Sequence, residues 1–275
     1  MDTPPKLGIE RRLGAHMRRV LPSGIAEFVM FGLKMAWASL FAGLMLGAII
    51  LTSVLWPDDA ALARYDFLVL FALAVQGLFL VLRLESLNEA KVILLFHITG
   101  TVMEVFKLQM GSWGYPEPGL LKIAGVPLFS GFMYASVGSF IARSIRIFDM
   151  RFARFPPFWL SIALAIAIYG NFFSHHFIWD MRYFLMLATL VLFWRTRIYF
   201  TPFGLQMWMP LVLAAFLVSL FLYLAENIGT LTGTWLYAGA TGFSFTSFAK
   251  LGSWYLLLFV SFSQVTLIYR RVLQR

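Results

Sequence analysis

The chain has 275 residues, 60% of them hydrophobic and only 13% charged, and it contains no cysteine. A water-soluble domain of this length cannot hide so much apolar surface, so the composition points to lipid as the solvent, and without cysteine there are no disulfides, thiolate nucleophiles or thiolate-bound metals. The formal charge of +9 does not indicate nucleic acid, because the basic residues sit between apolar runs and form no continuous face; they read as signals of membrane topology.

Residues 1–34 form a first unit. Lys6, Arg11, Arg12, Arg18, Arg19 and Lys34 accompany Ile9, Leu13, Met17 and Val20, which recur at helical spacing. That is the pattern of a basic amphipathic segment on an anionic leaflet; a solvated basic tail accounts for the same residues. No apolar core followed by small residues marks a cleaved signal peptide. Residues 35–275 form a single transmembrane unit with eight apolar segments, near 35–56, 67–82, 92–106, 124–141, 158–172, 183–194, 207–225 and 253–269. Several, 67–82 and 183–194 above all, are short for a perpendicular span of about 20 residues.

Counted by alternate sides, 17 of the 22 Lys and Arg fall with the two termini, and Arg64, Lys107, Lys122, Arg182 and Lys250 fall opposite. The positive-inside rule then places both termini in the cytoplasm, which an even number of spans requires. All nine Trp lie at or near segment ends, as an aromatic belt predicts. The expected fold is therefore an all-α, polytopic membrane helix bundle of about eight transmembrane helices. The lipid bilayer is its expected partner.

One pattern occurs twice. Glu104, Gly111, Ser112, Trp113 and Tyr115 return at the same spacing as Glu226, Gly233, Thr234, Trp235 and Tyr237. The copies end the third and seventh segments and so share one orientation. Two pseudo-symmetric four-helix halves, 35–142 and 158–270, would relate them as a parallel repeat. A carboxylate at such depth is costly to keep, so a matched pair asks for a function. Each also sits at a helix C-terminus, where unpaired carbonyls repel negative charge, and such a carboxyl suits general acid work or proton coupling. An ion pair of Glu104 with Lys107 is the plainer reading of the first copy. Glu226 has no cation three or four residues away, so its partner must come from another segment, with Arg182 and Lys250 the candidates.

The other unusual residues gather at the same end. His175, His176 and Asp180 lie on the turn between segments five and six, and with the glutamates they make the candidate catalytic set. Trp113, Tyr115, Trp235 and Tyr237 are candidate walls for an apolar substrate, joined by Asn171, Asn227 and Lys250; belt anchoring explains the aromatics equally simply. His97, seven residues before Glu104 and with Thr101 between, makes a polar stripe on one helix face, either the floor of a pocket or a histidine satisfied by a neighbouring helix. Imidazole and carboxylate suit zinc or iron, but no HExxH or ExxH spacing supports a site, so metal and cofactor stay unknown. Gly111 and Gly233 are expected to end their helices in a left-handed conformation.

The stretches Phe96–Lys107, Gly111–Glu117, Val126–Ala135, Asn171–His176, Ala225–Thr230 and Lys250–Trp254 resemble domain of unknown function family 817. The resemblance implies a bacterial multi-pass inner-membrane protein and brings no activity with it. The spacing in 226–237 is also similar to patterns in membrane enzymes that hydrate or cyclise carotenoids by protonating a double bond. Three readings follow: an intramembrane acid/base enzyme on an apolar, isoprenoid- or lipid-like substrate; a proton- or cation-coupled small-molecule transporter; and a non-catalytic membrane scaffold.

Overall fold

The computed structural model describes residues 21–57, 59–238 and 245–273; the basic segment from Lys6 to Val20 lies outside them. Among the described residues nine α-helices carry the fold: α1 Ser23–Ala38, α2 Leu40–Leu55, α3 Arg64–Val81, α4 Leu87–Gln109, α5 Phe129–Ile147, α6 Phe158–Ser174, α7 Arg182–Phe193, α8 Leu211–Leu231 and α9 Phe248–Ile268. Short strands join their ends: β1 Trp113–Gly114, β2 Lys122–Ile123, β3 Val126–Pro127, β4 Arg151–Ala153, β5 Arg197–Phe200, β6 Met207–Pro210 and β7 Leu236–Tyr237.

Among the described residues, four helices are long and apolar enough to cross a membrane: α3, α4, α8 and α9. The pair α1 and α2, bent by 65° at Ser39, makes a fifth if it counts as one span. On length and composition this is four to five spans where eight were expected. The segments at 158–172 and 183–194 correspond to α6 and α7, which are apolar but short, while α5 carries Arg143 and Arg146 near its end. The outer surface is lined with large apolar side chains, among them Val54, Leu94, Val102, Ile166, Phe184 and Phe221, all more than half exposed. A surface of that kind fits a lipid environment and would be a liability in water.

The two ends of the bundle are built differently. At the arginine-rich end, β4, β5 and β6 form an antiparallel sheet in that order. The α1 helix is tied there by Glu27, whose carboxylate accepts the backbone N–H groups of Phe203, Gly204 and Leu205 at 3.0, 2.7 and 2.9 Å. Arg143 is fully buried at this end. It donates to the Trp37 and Leu84 carbonyls at 3.4 and 3.2 Å, with its guanidinium 4.8 Å from the Phe79 ring centroid. The α4 helix starts in a capping box, Ser86 with Glu89, and Arg146 donates to the same glutamate at 2.9 Å.

From that start α4 runs to the opposite end packed on α5, and glycine sets how close the two lie. A Cβ on Gly100 would stand 2.7 Å from the Tyr134 side chain, and one on Gly138 would stand 2.8 Å from the Phe96 ring. Where the hydrophobic effect does not drive helices together, small residues of this kind allow the contact. Tyr134 is thereby held over the last turns of α4, where Glu104 lies.

Candidate functional site

The helices α4 and α8 end in the same way. Gly111 and Gly233 adopt φ of 65° and 66°, as expected for left-handed closing residues. The Gly111 N–H reaches the Leu108 carbonyl and the Ser112 N–H reaches that of Lys107, both at 3.0 Å; the Gly233 and Thr234 N–H groups reach Thr230 and Gly229 at 3.1 and 3.0 Å. This double closure turns the chain back across the helix end. The aromatics after each glycine are therefore carried to the glutamate before it. Glu104 Oε2 accepts the Trp113 indole N–H at 2.8 Å and the Tyr115 hydroxyl at 2.7 Å. Glu226 Oε1 accepts the Trp235 indole at 2.9 Å and the Tyr237 hydroxyl at 2.6 Å.

The two copies meet. β1 and β7 pair antiparallel, Trp113 with Tyr237 and Gly114 with Leu236. Gly114 and Leu236 hold the same place in the two copies, so the pairing is centred between equivalent residues. The second copy is held against α3, where Arg64 donates to Thr234 Oγ1 and Tyr65 to the Thr234 carbonyl, each at 2.6 Å. Arg64 also pairs with Glu117 from the loop after β1. Burial, and then the neighbouring carboxylate, push the Tyr115 and Tyr237 phenols well above their ordinary range, so both remain donors.

The copies differ in ways that matter chemically. Glu104 takes a third donor, the Tyr134 hydroxyl on Oε1 at 2.7 Å, so both its oxygens are engaged. Glu226 Oε2 takes no hydrogen bond among the described residues. Gly229 and Lys107 also occupy equivalent positions. Gly229 lets the Trp235 ring lie flat on α8, where any Cβ would overlap it. Lys107 instead turns away from Glu104 and donates to Nε2 of His175 and of His176 at 3.2 and 2.9 Å. The His175 Nδ1 lies 2.9 Å from the Asn171 carbonyl, which can only accept, so Nδ1 carries the proton and Nε2 is the acceptor. The ion pair of Glu104 with Lys107 is thus replaced by a lysine–imidazole cluster. Lys250 lies 3.7 Å from the Tyr237 ring centroid and 5.5 Å from that of Trp113, a cation over two aromatic faces. Neither Lys250 nor Arg182 reaches Glu226 within ion-pair distance.

These groups cap a cavity of about 960 Å³ whose walls come from α1, α2, α4, α5, α8 and α9. Below the cap its lining is predominantly apolar, interrupted by Ser39, Ser136 and Ser144, down to Phe31, Met150 and Phe200 near the arginine-rich end. Of the residues singled out in the sequence, Glu104, Glu226, Trp113, Tyr115, Trp235, Tyr237, Lys250 and His175 line it. His97, Asn171, His176, Asp180 and Asn227 do not. Asn171 and Asp180 tie the α6–α7 turn together at 3.0 Å, and Asp180 pairs with Arg182 at 3.1 Å. Asn227 accepts the Thr246 N–H at 2.8 Å and so anchors the approach to α9. Among the described residues no group of three His, Cys, Asp or Glu is placed to hold a metal; the two imidazoles converge on the Lys107 ammonium. His97 Nδ1, Thr101 Oγ1 and Ser130 Oγ are buried without a hydrogen-bond partner, and His97 and Thr101 both abut Gly131 between α4 and α5.

Tyr134, Lys107 and Arg182 are cavity residues that the sequence did not single out as such. Tyr134 carried one usable signal, a lone phenol inside an apolar run, whose hydroxyl must find a partner when buried.

Comparison with known proteins agrees with the family resemblance. The chain is 39% identical over 239 residues to the uncharacterized protein YoaT of Bacillus subtilis (strain 168), covering 86% of this chain and 90% of that one. Among solved structures, a cross-linked MvINS trimer aligns with a TM-score of 0.46 at 12% identity, over 68% of this chain and 97% of that one. The family model for "Protein of unknown function (DUF817)" matches residues 27–262, and the chain belongs to that family.

Proposed function

We propose that this is a multi-pass membrane protein whose cavity receives an apolar, lipid- or isoprenoid-like substrate, on which Glu226 acts as the acid/base group. One observation carries the reading: Glu226 has one oxygen committed to Trp235 and Tyr237 and the other without a donor among the described residues, at the head of a large apolar cavity that it helps to line. A fixed carboxyl with one free oxygen can hold and deliver a proton in a stated direction. Glu104, with three donors at 2.7–2.8 Å, is a positioning residue that holds β1 and Tyr134 in place. Lys250 lies close enough to Glu226 to act on it electrostatically and would compensate its charge after transfer.

Eight crossings with both termini in the cytoplasm remain the proposed topology. The regular alternation of α2 to α9 between the two ends supports it, as does the gathering of Arg143, Arg146, Arg151, Arg154, Arg195 and Arg197 at one of them. An ancestral duplication is supported by the equivalent helix ends and by the pairing of β1 with β7. Proton-coupled transport is the second reading, favoured by His97 Nδ1 and Thr101 Oγ1, buried atoms with no hydrogen-bond partner among the described residues, which extend the polar stripe from Glu104 toward the middle of the bundle.

The deciding experiment is complementation of a deletion strain, read by lipid and isoprenoid profiling. Loss of complementation by Glu226→Gln, with accumulation of an apolar precursor, is expected. An unchanged profile in the deletion strain, or full activity of Glu226→Gln, refutes the enzyme. Accessibility of cavity cysteines from both membrane faces would favour transport instead.

A further inference from the structure

The head of the cavity collects three cations from three helices. Lys107 of α4, Arg182 of α7 and Lys250 of α9 all line it, close enough that each repels the others. Their unused hydrogen-bonding capacity can be counted. An ammonium has three protons; Lys107 directs two at His175 and His176, leaving one. The Lys250 ammonium makes no hydrogen bond among the described residues, leaving all three protons over the faces of Tyr237 and Trp113. Arg182 gives one N–H to the Ala249 carbonyl at 3.2 Å and meets Asp180 at 3.1 Å, with donors to spare.

The acceptors are nearly spent. Both oxygens of Glu104 are occupied, Asp180 is answered by Arg182 and Asn171, and of the two glutamates lining the cavity only Glu226 keeps an oxygen, Oε2, that takes no hydrogen bond among the described residues. The cap thus presents an excess of charged donors to whatever enters. A group with acceptors only, and negative charge, matches such a surface, whereas a neutral hydroxyl would leave most of the donors unmet.

We infer that the ligand is a single-chain amphiphile ending in an oxyanion, a carboxylate or a phosphate. Its head rests among Lys107, Arg182 and Lys250, and its acyl or prenyl chain runs down the apolar walls toward Met150 and Phe200. This rests on the proposed reading of the cavity as the site of a lipid-like ligand and adds the charge of its head. The arrangement also suits an amphiphile arriving from the bilayer, whose head stays at the level of the Trp and Tyr residues while its chain stays in the apolar layer.

The test is displacement of a fluorescent fatty-acid analogue from the purified full-length protein in nanodiscs. The competitors are oleate, farnesyl phosphate, and the neutral oleyl alcohol and farnesol. Oleate or farnesyl phosphate should compete at least tenfold better than its alcohol, and which of the two prevails tells carboxylate from phosphate. Lys250→Gln should abolish the preference while leaving the alcohols unchanged, and Lys250→Arg should retain it, which separates loss of charge from loss of folding. Equal competition by acids and alcohols, or a preference that survives both Lys250→Gln and Lys107→Gln, overturns the anionic head but leaves the cavity reading standing. If neither acids nor alcohols enter, both readings fall.

Discussion

Gly229 offers the sharpest test of how the motif is held. A Cβ at this position would overlap the Trp235 ring, which is buried and cannot swing aside. Gly229→Ala must therefore push the indole off α8 and separate Nε1 from Glu226, now 2.9 Å apart. Overpacking costs about 1–3 kcal/mol, and losing a hydrogen bond to a buried charged group about 1.5–3 kcal/mol. The gain in helix propensity returns about 1 kcal/mol, so a net loss of about 1.5–5 kcal/mol is expected. Gly233→Ala meets open space and suffers only from its φ of 66°, a cost of about 1–2 kcal/mol. Gly111→Ala should match it, since its φ is 65° and its surroundings are equally open. Reversible unfolding in mixed micelles, followed by tryptophan fluorescence, gives all three values. A double-mutant cycle adds the specific readout: Trp235→Phe should destabilise the wild type but do little in Gly229→Ala, a coupling of more than about 1 kcal/mol. Wild-type stability for Gly229→Ala, or additive effects in the cycle, would refute the packing described here.

Two further outcomes follow from the same cap. Tyr134→Phe removes the sole donor to Glu104 Oε1 among the described residues and should cost about 1.5–3 kcal/mol in the same unfolding assay, whereas Tyr183→Phe, at 77% exposure, should cost nothing measurable. The α6–α7 turn should loosen in acid in two stages, read by amide hydrogen exchange across 171–182. Burial, then the Lys107 and His175 charges, hold His176 below its ordinary 6.5, so its contribution is complete above that pH and is lost as the pH falls through the lower folded value. Burial works to raise Asp180, but hydrogen bonds from the Asn171 side chain and the Arg182 backbone, with the Arg182 charge, outweigh it and hold it below 3.8. Its contribution is present above that value and is lost as the pH falls further. His176→Gln should remove the first stage alone; a single stage in the wild type, or two stages that persist in His176→Gln, would contradict the assignments.

Much of this site was legible in the chain because its parts are local. Glu, Gly, Trp and Tyr lie within twelve residues, and a helix closed by a left-handed glycine leaves few places for the next aromatics except back over the last turns. Spacing therefore implied both copies of the motif. The same locality explains the misplacements. Asn171, Asp180 and Asn227 are polar residues at the correct end of the bundle, and sequence position does not tell whether such a side chain turns into a cavity or closes its own turn. Tyr134 escaped notice because its partner lies 30 residues away across the α4–α5 packing, which depends on Gly100.

What the amino-acid order determined by itself was the solvent, the helices and the recurring Glu–Gly–Trp–Tyr unit, since hydropathy, helix closure and short-range spacing are properties of neighbouring residues. Tertiary structure decided the rest. It brought β1 to β7, turned Lys107 from Glu104 to two histidines, supplied Glu104 with its third donor and gave Glu226 Oε2 none among the described residues. The two glutamates occupy equivalent places in sequence and differ only in what other helices bring to them. The inequality between them arises from packing between segments, which no local pattern encodes.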